Sequence, residues 1–152
     1  MRVTRSIVLC IMSLASAVVP GCSSDRACTQ IGCADAFVIR LTSAEPPTAG
    51  RYEFRLVIDG RAVTCSVTLP AASETNACAE GTGVALSVGA ANSLGSLRIE
   101  GSPTRVDARV TQGDKTVASR AFVPSYRESR PNGADCPPVC RSADDSLELV
   151  GG

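Results

Sequence analysis

The residues with the most chemistry to offer are cysteines. The chain of 152 residues carries eight of them, with no His and no Trp. Cys28 and Cys33 form a C-x4-C pair, Cys136 and Cys140 form a C-x3-C pair, and Cys65 and Cys78 lie between. Four thiolates could hold zinc, but zinc ribbons use C-x2-C pairs, which are absent here. Cys136 and Cys140 could hold copper or act as a redox pair. Exported copper carriers also use His or Met, however, and Met1 and Met12 both fall near the start of the chain. No thioredoxin-type C-x-x-C occurs. Bridging therefore comes before catalysis or metal binding. Six cysteines allow 15 connectivities. The expected pairing joins Cys28 and Cys33 to Cys136 and Cys140 in some order, and Cys65 to Cys78. Two local bridges, Cys28–Cys33 and Cys136–Cys140, are the alternative.

Other catalytic constellations are missing. Without His there is no usual triad and no common general base at neutral pH. No P-loop, G-x-S-x-G or G-x-G-x-x-G is present. Asp144, Asp145 and Glu148 lack the spacing of a calcium loop and read as a solvated turn. Basic and acidic residues balance at 15 each, which argues against a nucleic-acid partner. No enzymatic activity, cofactor or metal is expected. An envelope hydrolase, or a periplasmic metal or thiol-redox protein using Cys136 and Cys140, remains the alternative to a binding or structural module.

The N-terminus supplies an address. Arg2 and Arg5 precede an apolar run from Ile7 to Val19, too short to span a bilayer and suited to a signal-peptide core. The run ends in Val19-Pro20-Gly21-Cys22, which resembles the lipobox of small exported bacterial lipoproteins of unassigned function. That resemblance implies diacylglycerol on the Cys22 sulfur, cleavage before it, and membrane anchoring. Ser23 after it, being other than Asp, implies outer-membrane delivery, facing the periplasm or the surface. Residues 1–21 would be the signal peptide, 22–27 a short tether and 28–152 the folded domain. The tether reaches at most ~20 Å at ~3.3 Å per residue. Lipidation of Cys22 and removal of Cys10 leave six cysteines, an even number that suits an oxidising compartment. Ala15-Ser16-Ala17 offers a second cleavage site, consistent with simple secretion and an unmodified Cys22. Of the basic residues only Lys115 is a lysine, a bias that fits a high-GC bacterial genome.

The elements that must position the cysteines read as strands. Period-two alternation runs through 36–42, 51–58, 61–69, 84–88, 96–100, 105–111, 116–123 and 146–150. Asp59-Gly60 suits a two-residue hairpin, since both positions favour positive φ. Its register pairs Phe54 with Cys65 and Leu56 with Val63, so the apolar faces coincide. Gly113-Asp114 suggests a second hairpin pairing Val110 with Val117 and Val106 with Ala121, which turns Phe122 away from the core. Seven or eight short strands separated by Gly, Pro and Asn predict an all-β fold, a single disulfide-stapled antiparallel β-sandwich resembling immunoglobulin-like or fibronectin-like modules. Residues 124–145, with four prolines, read as a long irregular loop. Arg127, Arg130 and Asn132 in this loop are the candidate contacts for an envelope protein partner. The membrane is the other expected partner, through the N-terminal lipid.

Overall fold

The computed structural model of the protein describes residues 28–71, 78–89 and 93–150. The expected signal peptide, Cys22 and the expected tether lie outside the described residues. Among the described residues there are nine strands and no helix: β1 (Ala36–Ser43), β2 (Gly50–Ile58), β3 (Arg61–Leu69), β4 (Val84–Val88), β5 (Leu94–Glu100), β6 (Val106–Gln112), β7 (Lys115–Phe122), β8 (Arg127–Ser129) and β9 (Cys140–Leu149). They form two sheets, one ordered β4-β5-β1-β9-β8 and the other β3-β2-β6-β7.

Alternation explains the layering. Phe37, Ile39 and Leu41 of β1 face inward, as do Tyr52, Phe54, Leu56 and Ile58 of β2, while Arg40, Arg51 and Arg55 face solvent. Inner faces of both sheets merge into one buried cluster that includes Leu97, Ile99, Val106, Val110 and Leu147. Burial of such side chains contributes roughly 1.5–3 kcal/mol each and drives the two sheets together.

The first hairpin has the register its sequence predicts, with Ile58 opposite Arg61, Leu56 opposite Val63 and Phe54 opposite Cys65. Asp59 and Gly60 both adopt positive φ, 47° and 85°. The second hairpin departs from expectation. Gln112 pairs with Lys115 and Thr111 with Thr116, but Val110 pairs with Ala118. Val117 is the extra residue of a β-bulge, and from there on β7 is shifted by one position. Phe122 therefore sits opposite Val106 and is only 2% exposed, where the unbulged register turned it outward. Its ring meets that of Phe37 edge to face at 5.7 Å.

Two further expectations are corrected. The sheets are not wholly antiparallel, because β1 and β9 run parallel from Ala36↔Ser142 to Ser43↔Leu149. The strand number exceeds seven or eight, because 124–145 holds β8 and the first half of β9 rather than one irregular loop. The polar Asp144-Asp145 pair hides that strand from a pattern search. The four-stranded sheet is built on the β2–β3 hairpin, with β6 and β7 on the far side of β2.

The ladders define two poles. β1 and β9 both start at one pole, directly after Cys33 and at Cys140. Glu100 ends β5 opposite Ala36 there, and Gly101 N–H donates to the Asp35 carbonyl at 3.0 Å. The Asp59-Gly60 turn and the end of β7 lie at the same pole, because Asp59 N–H donates to the Arg105 carbonyl at 3.0 Å and Phe122 pairs with Val106. At the opposite pole Val150 N–H donates to the Val117 carbonyl at 2.9 Å, joining the two sheets.

Candidate functional site

The first pole gathers most of the residues singled out from sequence. Disulfides join Cys28 to Cys136 and Cys33 to Cys140, with sequence separations of 108 and 107. The order that sequence left open is thus Cys28–Cys136 and Cys33–Cys140, both between distant segments. A third bridge, Cys65–Cys78, spans 13 residues and lies against β3. Cys136 and Cys140 each have a bridge partner elsewhere, so their thiols are not available to one another or to a metal ion.

Asn132 lies between the two long bridges. Its Oδ1 accepts from Thr29 Oγ1 at 2.7 Å and from the Ile31 N–H at 2.9 Å. Its Nδ2 donates to the carbonyls of Ile31 at 3.1 Å and Pro137 at 2.5 Å. Two donors face one side of the amide and two carbonyls face the other, which fixes its orientation. Asn132 is thus a clamp between 28–33 and 131–140, with its polar atoms turned inward. The Arg130–Gly133 turn that carries it is closed by Gly133 N–H donating to the Arg130 carbonyl at 3.0 Å, with Gly133 at φ 106°.

The arginines of this region are partly occupied. Arg130 donates to the Ala134 carbonyl at 2.7 Å and lies 3.6 Å from Glu128, which is also 3.8 Å from Arg141. Arg127, on β8, is exposed. Such exposed pairs contribute ~1 kcal/mol or less. Arg120 belongs to a different place. It crosses from β7 to β9, donating to the Ser146 carbonyl at 2.7 Å and pairing with Asp145 at 3.0 Å, with its guanidinium 4.7 Å from the Phe122 ring centre. Asp144 pairs with Arg40 on the outer face at 2.8 Å. The acidic pair thus serves two separate ion pairs, one on each face of β9.

Several anchoring residues escaped the sequence reading. Asp35 accepts from Ser102 Oγ and from the Arg141 backbone N–H, both at 2.7 Å. These bonds, the backbone one foremost, hold its carboxyl below the usual carboxylate range. Asp59 accepts from Thr104 Oγ1 at 2.7 Å and from the N–H groups of Thr104 and Arg105 at 3.0 and 2.9 Å, which lowers its pKa likewise. Tyr126 donates to the Pro103 carbonyl at 2.8 Å; burial first, then Asp59 and Asp35, push its pKa to about 12. Ser102 and Arg141 lie 67 and 106 residues from Asp35, so no local pattern could have marked it.

Two open depressions complete the surface. One, of about 510 Å³, lies at the stapled pole between Arg61, Glu80, Thr82 and Glu100. Another, of about 600 Å³, lies at the opposite pole, lined by Leu41, Pro46, Pro47, Leu94 and Leu149. Thr82 Oγ1 in the first donates to the Ala79 carbonyl and Arg61 to the Thr82 carbonyl, so its polar groups serve the loop itself. Among the described residues no group of His, Cys, Asp or Glu is placed to hold a metal ion.

These features define a class: a two-sheet β domain whose N- and C-terminal strands run side by side and are cross-linked twice at one pole. No family model, no curated protein and no solved structure matches the chain.

Proposed function

We propose that the protein is a lipid-anchored component of a bacterial cell envelope, acting as a non-enzymatic binding or structural module. The two sheets would serve as a rigid scaffold in the manner of immunoglobulin-like and fibronectin-like modules, with the last strand added parallel to the first. The observation that carries this reading is the placement of all six cysteines of 28–152 in bridges, two of which tie the first described segment, at Cys28 and Cys33, to the rest of the domain. Such bridges persist in an oxidising compartment. They also fix the point at which the chain arrives from the lipobox-like Cys22. Outer-membrane attachment follows from Ser23, and an envelope protein is the expected partner beyond the membrane itself.

The test is an intact mass of the protein from the membrane fraction, alkylated with and without prior reduction. The expected result is a lipid adduct on Cys22 and six cysteines that alkylate only after reduction. An unmodified Cys22 would return the protein to the secreted class. Alkylation without reduction would favour the thiol-redox alternative at Cys136 and Cys140.

A further inference from the structure

Five large apolar side chains stand out as exposed among the described residues: Ile31 at 54%, Val139 at 42% and Val123 at 78%, with Val57 at 41% on β2 and Val150 at 67% at the opposite pole. Ile31, Val139 and Val123 lie in connecting segments at the stapled pole. Ile31 lies between the two bridged cysteines of the first segment, and Val139 directly precedes Cys140. Val123 follows the buried end of β7. Pro137, also exposed, adds to the same surface. The backbone beneath Ile31 and Val139 is held by two disulfides and the Asn132 clamp, so presenting these side chains costs little ordering on contact.

The same pole is where residue 28 leaves the described domain. Only residues 23–27 separate Cys22 from Cys28, a reach of at most ~20 Å. A lipid on Cys22 would therefore hold this pole within one tether length of the bilayer. Charge does not decide the matter, since Arg127, Arg130 and Arg141 stand beside Glu128, Asp35 and Asp135. Apolar contact is left as the attraction.

We infer that the stapled pole is a membrane-seating surface: Ile31, Val139 and Val123 rest in the interfacial region of the bilayer that holds the Cys22 lipid. This rests on the anchored reading above. The opposite pole, with the depression lined by Leu41, Pro46 and Leu94, then faces away from the membrane and is the side open to a protein partner. The loop around Arg130 and Asn132 faces lipid instead.

Because the chain has no Trp, one introduced indole reports on its own position. The full-length lipoprotein carrying Ile31→Trp, Val139→Trp or, at the far hairpin, Asp114→Trp is reconstituted into phosphatidylethanolamine–phosphatidylglycerol vesicles with brominated acyl chains. All three sites are exposed, so the fold tolerates the change. Interfacial side chains sit ~5–10 Å into the headgroup–acyl boundary, so quenching at Ile31→Trp and Val139→Trp should exceed that at Asp114→Trp by about two-fold or more. It should persist at high salt, which screens charge and leaves apolar contact intact. Vesicle flotation and intact mass are read on the same samples. Protein that floats with its Cys22 adduct but shows equal quenching at all three sites overturns the seating surface alone. Quenching that disappears with salt overturns its apolar basis. Protein that lacks the adduct and does not float overturns the anchor and the seating surface together.

Discussion

Asn132 and two aspartates carry more of this structure than their residue types suggest. Asn132 uses both ends of its amide to join segments about a hundred positions apart. Asn132→Ala removes four hydrogen bonds at an exposed site, where each is worth ~0.5–1.5 kcal/mol before solvent competition. We expect a loss of about 1–2 kcal/mol in urea unfolding. Asn132→Asp should fare no better, because a carboxylate would face the carbonyls of Ile31 and Pro137. Asp35 and Asp59 make a pH prediction. Both have folded-state pKa values below the unfolded value. Their contribution is therefore present above the unfolded pKa, near ~3.9, and is lost as pH falls through the lower folded values. Urea midpoints measured from neutral pH downward should fall below about pH 4 in the wild type. The double variant Asp35→Asn, Asp59→Asn should start lower and fall less steeply. A parallel pair of curves would contradict the assignment.

At the scale of elements, the bulge in β7 decides where Phe122 goes. Removing Val117 deletes the extra residue while keeping Val110 opposite Ala118 and Phe122 opposite Val106. Its cost should be limited to one buried valine, about 2 kcal/mol. Removing Ser119 shifts the remainder of the strand by one position, turning Phe122 outward and Arg120 away from Asp145. That should cost at least as much as Phe122→Ala, about 3–5 kcal/mol. Equal losses for the two deletions, measured in urea, would refute the bulge. This element also marks how far the sequence could be read. The Asp59-Gly60 register was legible because two residues of defined φ and two alternating runs agree. Val117-Ala118 breaks alternation with two small apolar residues, and either could face inward, so the bulge left no local signature. β8 and the start of β9 were hidden for a related reason: their inward positions include Ala143 and Asp145 rather than large apolar side chains. The cysteine pairing was partly legible because the topology places the first and last strands together. The Asn132 clamp was not, because its partners are set by tertiary contact alone.

For the whole molecule, the two long bridges act as one device. Either one alone closes a loop of about a hundred residues in the unfolded chain, worth ~4–5 kcal/mol in the chain-entropy account. Once that loop is closed, the second bridge restricts only a ring of about a dozen residues, worth ~3 kcal/mol. Replacing Cys28 and Cys136 by Ala should therefore cost about 3 kcal/mol, and replacing Cys33 and Cys140 about the same. Replacing all four should cost about 7–8 kcal/mol, more than the sum of the two. A loss of this size rivals the ~5–15 kcal/mol total stability of a small domain. The quadruple variant is expected to lose its cooperative transition at ambient temperature. Additivity in urea unfolding would mean that the bridges constrain independent parts of the unfolded chain. The coupling has a structural consequence as well. With one bridge intact the pole still holds β1 beside β9, so either bridge can be reduced without freeing the terminus. Only loss of both would release 28–35 from the domain, and with it the rigid placement of Ile31 beside Val139. Trypsin cleavage after the native arginines should accordingly rise with the unfolded population for either pair of replacements, and rise by far more than the product of the two when both are combined.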